Sequence, residues 1–155
     1  MKTKFLLLAL LATTFFSSCK KDKPEPADPL ANAHELLQNK NWKLTELTVT
    51  PAINGSTNVL DIWDECDTDD IFLFLPANLF VLNGGGNLCD PEDPQDESGT
   101  WSYNEPTHLL TFQLQPVGDL YAIELTAVND NTMTARETEV FNGVNYTYNW
   151  VFTKQ

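Results

Sequence analysis

The sequence predicts an all-β protein, an eight-stranded antiparallel up-and-down barrel with a short N-terminal helix. Three observations carry that expectation. From Trp42 onward the chain is a series of short runs that either alternate apolar with polar or are continuously apolar, as strands do. The runs are separated by brief turn signals rather than by long crossings. Eight strands joined as successive hairpins can close on themselves and remove their exposed edges. A β-sandwich fits the same strand count but calls for longer crossing connections.

Leu30 to Lys40 carries apolar residues at 33, 36 and 37 with polar ones between, the spacing of one helical face. Trp42 to Thr50 alternates and is expected to end at Pro51. Asp70 to Leu75 and Leu79 to Leu82 are apolar runs on either side of Pro76-Ala77-Asn78, and Asn83-Gly84-Gly85-Gly86 closes the second. Gly99 to Tyr103 and Leu109 to Gln115 flank Asn104-Glu105-Pro106. Leu120 to Val128, Thr132 to Phe141 and Val144 to Thr153 complete the set, joined at Asn129-Asp130-Asn131 and at Asn142-Gly143. Asn-Gly is a strong hairpin signal because both residues accept positive φ. In the last strand Val144, Tyr146, Tyr148, Trp150 and Phe152 share one face, with Val151 breaking the polar face opposite.

Charge excludes some functions. Nine Lys and Arg stand against 22 Asp and Glu, a formal net charge of −13. Binding to phosphate backbones needs basic patches that release counterions, so no nucleic-acid partner is expected. The acids cluster: Asp61, Asp64, Glu65, Asp67, Asp69 and Asp70 surround Cys66, and Asp90, Glu92, Asp93, Asp96 and Glu97 follow Cys89. A Cys66–Cys89 disulfide would bring the two groups together and stabilise the domain by roughly 3 kcal/mol. Such a rim is either solvated or a weak Ca²⁺ site, with Asp67, Asp69, Asp70, Asp90 and Asp93 as candidate ligands. Zinc on the two cysteines is the rival reading, with no histidine nearby to complete it. No other cofactor is expected.

The N-terminus reads as an address. Lys2 and Lys4 precede an apolar stretch, Phe5 to Phe16, too short for a membrane span. Phe16-Ser17-Ser18-Cys19 follows and resembles the lipobox of bacterial lipoproteins, which implies a signal peptide over 1–18 and a lipid anchor on Cys19. An ordinary secretory signal cleaved near Ser18 is the other reading. Residues 19–29, with three prolines after a run of lysines, form the lipidated cysteine and an extended tether, leaving 30–155 as the domain. The anchor implies the cell envelope, most naturally the outer membrane, with the lipid bilayer as its first partner.

Several short motifs together resemble the lipocalin-like lipoproteins of Bacteroidetes. They are Asn41-Trp42-Lys43-Leu44, Cys66 with Asp69-Asp70, Cys89-Asp90-Pro91 with Gln95, Ser98-Gly99-Thr100-Trp101, and Trp150-Val151-Phe152-Thr153-Lys154. The resemblance implies a calycin-type barrel in which Trp42 packs across the floor under a basic residue, Lys154 first and Arg136 second. It also implies a small hydrophobic ligand or an envelope protein as partner.

Ten large rings compete for the interior: Trp42, Phe72, Phe74, Phe80, Trp101, Phe112, Tyr146, Tyr148, Trp150 and Phe152. That supply favours a filled or narrow lumen, with a ligand cavity as the alternative. Tyr146, Tyr148 and Trp150 are the candidate lining residues, and Trp63 joins the tyrosines if the mouth is open. No enzyme is expected. His34 and His108 stand apart, Ser56, Ser98 and Ser102 lie in no nucleophile motif, and Gly84-Gly85-Gly86 lacks the lysine of a phosphate loop.

Overall fold

A computed structural model describes residues 28–155 apart from residue 117. Cys19, the expected signal peptide and most of the expected tether lie outside the described residues. The predicted helix over 30–40 is realised only as α1 (Ala33–Leu37), five residues long. Asn32 and Asn39 adopt left-handed backbone at φ 61° and 56°, and Gln38 is extended, so both ends are cut short by local turns. Lys40 Nζ donates to the Leu36 carbonyl at 2.7 Å, which satisfies an acceptor that the helix end leaves open.

The strands are β1 (Asn41–Ile53), β2 (Ser56–Asn58), β3 (Ile71–Leu75), β4 (Leu79–Asn83), β5 (Asp96–Asn104), β6 (Leu109–Leu114), β7 (Leu120–Val128), β8 (Thr132–Phe141) and β9 (Val144–Lys154). From β3 to β9 each strand pairs antiparallel with the next, and β1 closes the ring on both β3 and β9. The result is a closed eight-stranded antiparallel barrel, with β2 as an extra three-residue strand against β1. β1 runs past Pro51, its expected end, through a register irregularity between Thr48 and Ile53 where no ladder N–H is demanded of the proline.

Two bulges set which residues face inward. β1 shifts register between Leu44 and Glu46 against β9, and β7 shifts between Leu125 and Ala127 against β8. Leu44 and Leu47, and likewise Leu125 and Val128, are therefore all buried although three positions apart. At Gly99, midway along β5, an added Cβ would stand 1.9 Å from the Gln113 carbonyl oxygen, so the β5–β6 approach admits only glycine.

The two ends differ. The floor gathers α1, the turns at 76–78, 105–107 and 129–131, and the C-terminus. Backbone bonds tie these together: Asn39 N–H to Phe74 O at 3.0 Å, Val128 N–H to Pro29 O at 3.1 Å, and Gln155 N–H to Asn41 O at 2.9 Å. The mouth is ringed by the loops 59–70 and 84–95, by residues 115–116 and 118–119, and by the β8–β9 hairpin. The aromatic core fills the floor half, where Trp42, Phe74, Phe80, Phe112 and Phe152 are fully buried.

Candidate ligand cavity

Strand alternation sends every second side chain of β3 to β9 inward, and the rings among them stack upward from the floor. Phe74 and Phe80 lie 5.6 Å apart between ring centres, Phe80 and Phe112 5.2 Å, and Phe72 and Phe112 5.9 Å. Above them the packing thins. Tyr121 stacks on Phe112 at 5.1 Å and meets Trp150 edge-on at 6.3 Å. This leaves a cavity of about 450 Å³ whose walls are Phe72, Phe80, Leu82, Phe112, Leu114, Tyr121 and Trp150, with Trp63, Asp67, Asp70 and Asp119 around its upper edge. The lumen is thus filled below and open above.

The expected disulfide is present. Cys66 and Cys89 are bonded with their Cα atoms 5.1 Å apart, which staples loop 59–70 to loop 84–95. A smaller hollow of about 160 Å³ lies beneath the staple, between Asp67, Asp70, Asp93 and Glu97. Asp69 is pinned beside it: its Oδ2 accepts the Gly86 N–H at 2.7 Å, while its Oδ1 is buried without a partner. Gly85 passes so close that a Cβ there would stand 2.5 Å from Asp69 Cγ. Asp90 is turned to its own loop and accepts the Glu92 N–H at 2.9 Å.

These placements define what could hold a metal. Among the described residues, the one group of three ligand-type side chains with donor atoms within 4.8 Å of one another is Cys66, Asp67 and Cys89. Both cysteines are consumed by the disulfide and offer no thiolate. Of the five aspartates suggested by the sequence, Asp67, Asp70 and Asp93 share the smaller hollow and the first two also reach the cavity edge, whereas Asp69 is held by the glycine loop and Asp90 by its own turn.

The edge carries negative charge that borders no basic side chain among the described residues. Asp70 is pushed up to about 6 from an ordinary 3.8, first by burial and then by repulsion from Asp67, Asp69 and Glu97. Tyr121 is also pushed up, by burial and then by Asp119, Glu137 and Asp67. Burial followed by Glu139 raises Glu137, and the Trp150 indole N–H opposes that rise. It does so from outside hydrogen-bond geometry, since Trp150 Nε1 is buried and has no partner.

The other residues singled out from sequence fall away from this cavity. Trp42 is fully buried on the floor and donates to the Leu37 carbonyl at 2.9 Å. Lys154 is its register partner but its side chain is exposed; the ammonium over the Trp42 ring belongs to Lys40, 5.8 Å from the centroid. Arg136 pairs with Glu124 on the outer surface at 3.1 Å. Of the three expected lining residues Trp150 lines the cavity, whereas Tyr146 and Tyr148 pack against the core without bordering it. β8 pairs with β7 only as far as Arg136, and the rest of the β8–β9 hairpin extends beyond that ladder. His34 stacks on Trp101 at 5.3 Å and His108 meets the Tyr103 hydroxyl at 3.3 Å, both at the floor.

Asp119, Tyr121, Leu82 and Leu114 were not singled out. Tyr121 stands two and four positions before Ile123 and Leu125, so the alternation of β7 was the signal for it. Asp119 has no such signal. No protein-family model matches this chain, and no curated protein is similar to it.

Proposed function

We propose that this chain is a lipocalin-like binding lipoprotein of the bacterial cell envelope. It is anchored in the membrane through lipid on Cys19 and takes a small, largely apolar ligand into the barrel mouth. The cavity of about 450 Å³ carries the binding half of this reading, because ligand pockets commonly enclose about 300–1,000 Å³ and are lined mainly by apolar and aromatic side chains. The anchor half rests on Lys2, Lys4, the apolar run to Phe16 and Cys19. Two lipid chains would hold the protein almost permanently, at about 0.8 kcal/mol per buried methylene. Pro29 enters the barrel at the floor, so a tether there would hold the closed end toward the bilayer and leave the mouth free.

Native mass spectrometry of the full chain purified from its own host tests both halves. The expected result is a lipid mass on Cys19 together with a co-purified small molecule that denaturation releases. Loss of membrane association in Cys19→Ser supports the anchor, and unchanged association overturns it. Repeated absence of any bound mass, with no uptake of hydrophobic probes, overturns the carrier reading in favour of an accessory lipoprotein that acts through its exterior. A weak calcium module is the remaining reading, favoured by Asp67 and Asp70 on one edge. It predicts a rise in Tm with millimolar Ca²⁺, and no rise removes it.

A further inference from the structure

The cavity has two chemically distinct zones. Its depth is aromatic, with Phe72, Phe112, Tyr121 and Trp150, while its edge presents Asp67, Asp70 and Asp119. Nothing basic answers those carboxylates among the described residues. Lys40 pairs with Asp130 at the floor and Arg136 with Glu124 on the outer wall. Lys43 and Lys154 do not border the cavity either. A second observation is independent of the charge. Trp150 is 5% exposed and lines the cavity, and its buried Nε1 makes no hydrogen bond although the Glu137 carboxylate lies near enough to be favoured by it. An unmade hydrogen bond at a buried donor costs stability unless an acceptor arrives to fill it.

We propose that the cavity takes a small amphiphilic organic cation: an aromatic or alkyl body bearing a hydrogen-bond acceptor lies against Phe72, Phe112, Tyr121 and Trp150, and its ammonium or guanidinium group sits beside Asp67, Asp70 and Asp119. This rests on the reading of the cavity as a ligand site and narrows it to one charge type. A cation at the edge relieves the mutual repulsion of the carboxylates. A fatty carboxylate would bring a further negative charge to the same place and is disfavoured. The raised Asp70 agrees with this, since a bound cation favours the ionised form that the empty edge penalises.

Three dansyl probes separate the inference from the reading beneath it. They are dansylcadaverine, which is cationic, its neutral N-acetyl form, and anionic dansyl-undecanoate. Each is titrated by fluorescence against the full chain in nanodiscs of neutral phospholipid, with empty discs as the blank. The expected result is that dansylcadaverine binds about tenfold more tightly than its N-acetyl form. That preference should shrink with added salt and disappear in Asp67→Asn/Asp70→Asn and in Asp119→Asn. The salt titration on the unaltered chain stands even if a variant folds poorly. Equal binding of the cationic and neutral probes, or tighter binding of the anion, overturns the charge type while leaving the carrier reading in place. Binding of none of the three overturns both.

Discussion

The floor and the mouth of this barrel are built from the same aromatic stock but use it differently. At the floor each polar group recorded beside a ring has a partner. Trp42 donates to Leu37, Trp101 donates to the Leu75 carbonyl at 2.8 Å, and Lys40 serves the Leu36 carbonyl, Asp130 and the face of Trp42 together. At the mouth the corresponding groups are left over: Trp150 Nε1 without a hydrogen bond, Asp69 Oδ1 without a donor, and Asp70 disfavoured as an anion by burial and then by its neighbours' repulsion. A covalent staple joins two of the loops there. The difference teaches that satisfied and unsatisfied polar groups are divided along the barrel axis. One end is satisfied and closed, and the other is unsatisfied and open.

The largest expected effect breaks the satisfied end. Trp42→Ala removes a fully buried ring and leaves the Leu37 carbonyl without its donor, at a cost of about 3–5 kcal/mol. Chemical denaturation should show that loss in the midpoint. A loss below about 1 kcal/mol would mean that the floor is not the main stabilising element. The staple comes next. Cys66→Ala/Cys89→Ala opens a loop closed across 23 positions and should cost about 2–4 kcal/mol. Because the staple positions Asp67 and Asp70, this variant should also lose probe binding at temperatures where its barrel is still folded. Near-unchanged stability would mean that the Asp69–Gly86 contact alone holds the two loops.

The same division decided what could be read from the sequence. Strand pattern and turn chemistry are local, so the hairpin at Asn142-Gly143 and the inward face of β9 were legible, as was the pairing of the two cysteines. The bulges at Thr45 and Thr126 were not, because each is defined by the partner strand's register and not by its own residue. The helix over 30–40 looked longer than it is because no glycine or proline marks its actual ends, whereas Asn32 and Asn39 take left-handed backbone and Gln38 is extended. At the cavity, Trp150, Asp67 and Asp70 could be named from alternation and charge clustering. Asp119 could not, because its place on the edge depends on where the loop after β6 falls relative to loop 59–70. How far the rings fill the lumen is likewise a matter of barrel shear and tilt, which no single run of residues encodes.

The smallest effect has the opposite sign and sharpens the comparison most. Asp70→Asn should stabilise the protein at pH 7.5, since it removes a carboxylate that the mouth disfavours. The folded-state value of about 6 lies above the ordinary 3.8, so the folded chain holds the Asp70 proton more tightly than the unfolded chain does. The ionised group therefore subtracts from stability above pH 6, and that penalty fades as pH falls through this range and is absent below 3.8. The rise in Tm on substitution should accordingly be only a few degrees at pH 7.5, because a half-exposed group is screened by water, and should nearly vanish at pH 4, where Asp70 is protonated in the folded chain. An increment of equal size at both pH values would assign it to packing instead of charge. Added salt then divides the two causes. Repulsion from Asp67, Asp69 and Glu97 is screened by salt, whereas burial is not, and burial is the larger cause. Most of the increment should therefore survive high salt, and its complete loss would mean that the mouth is disfavoured by its charges and not by its depth.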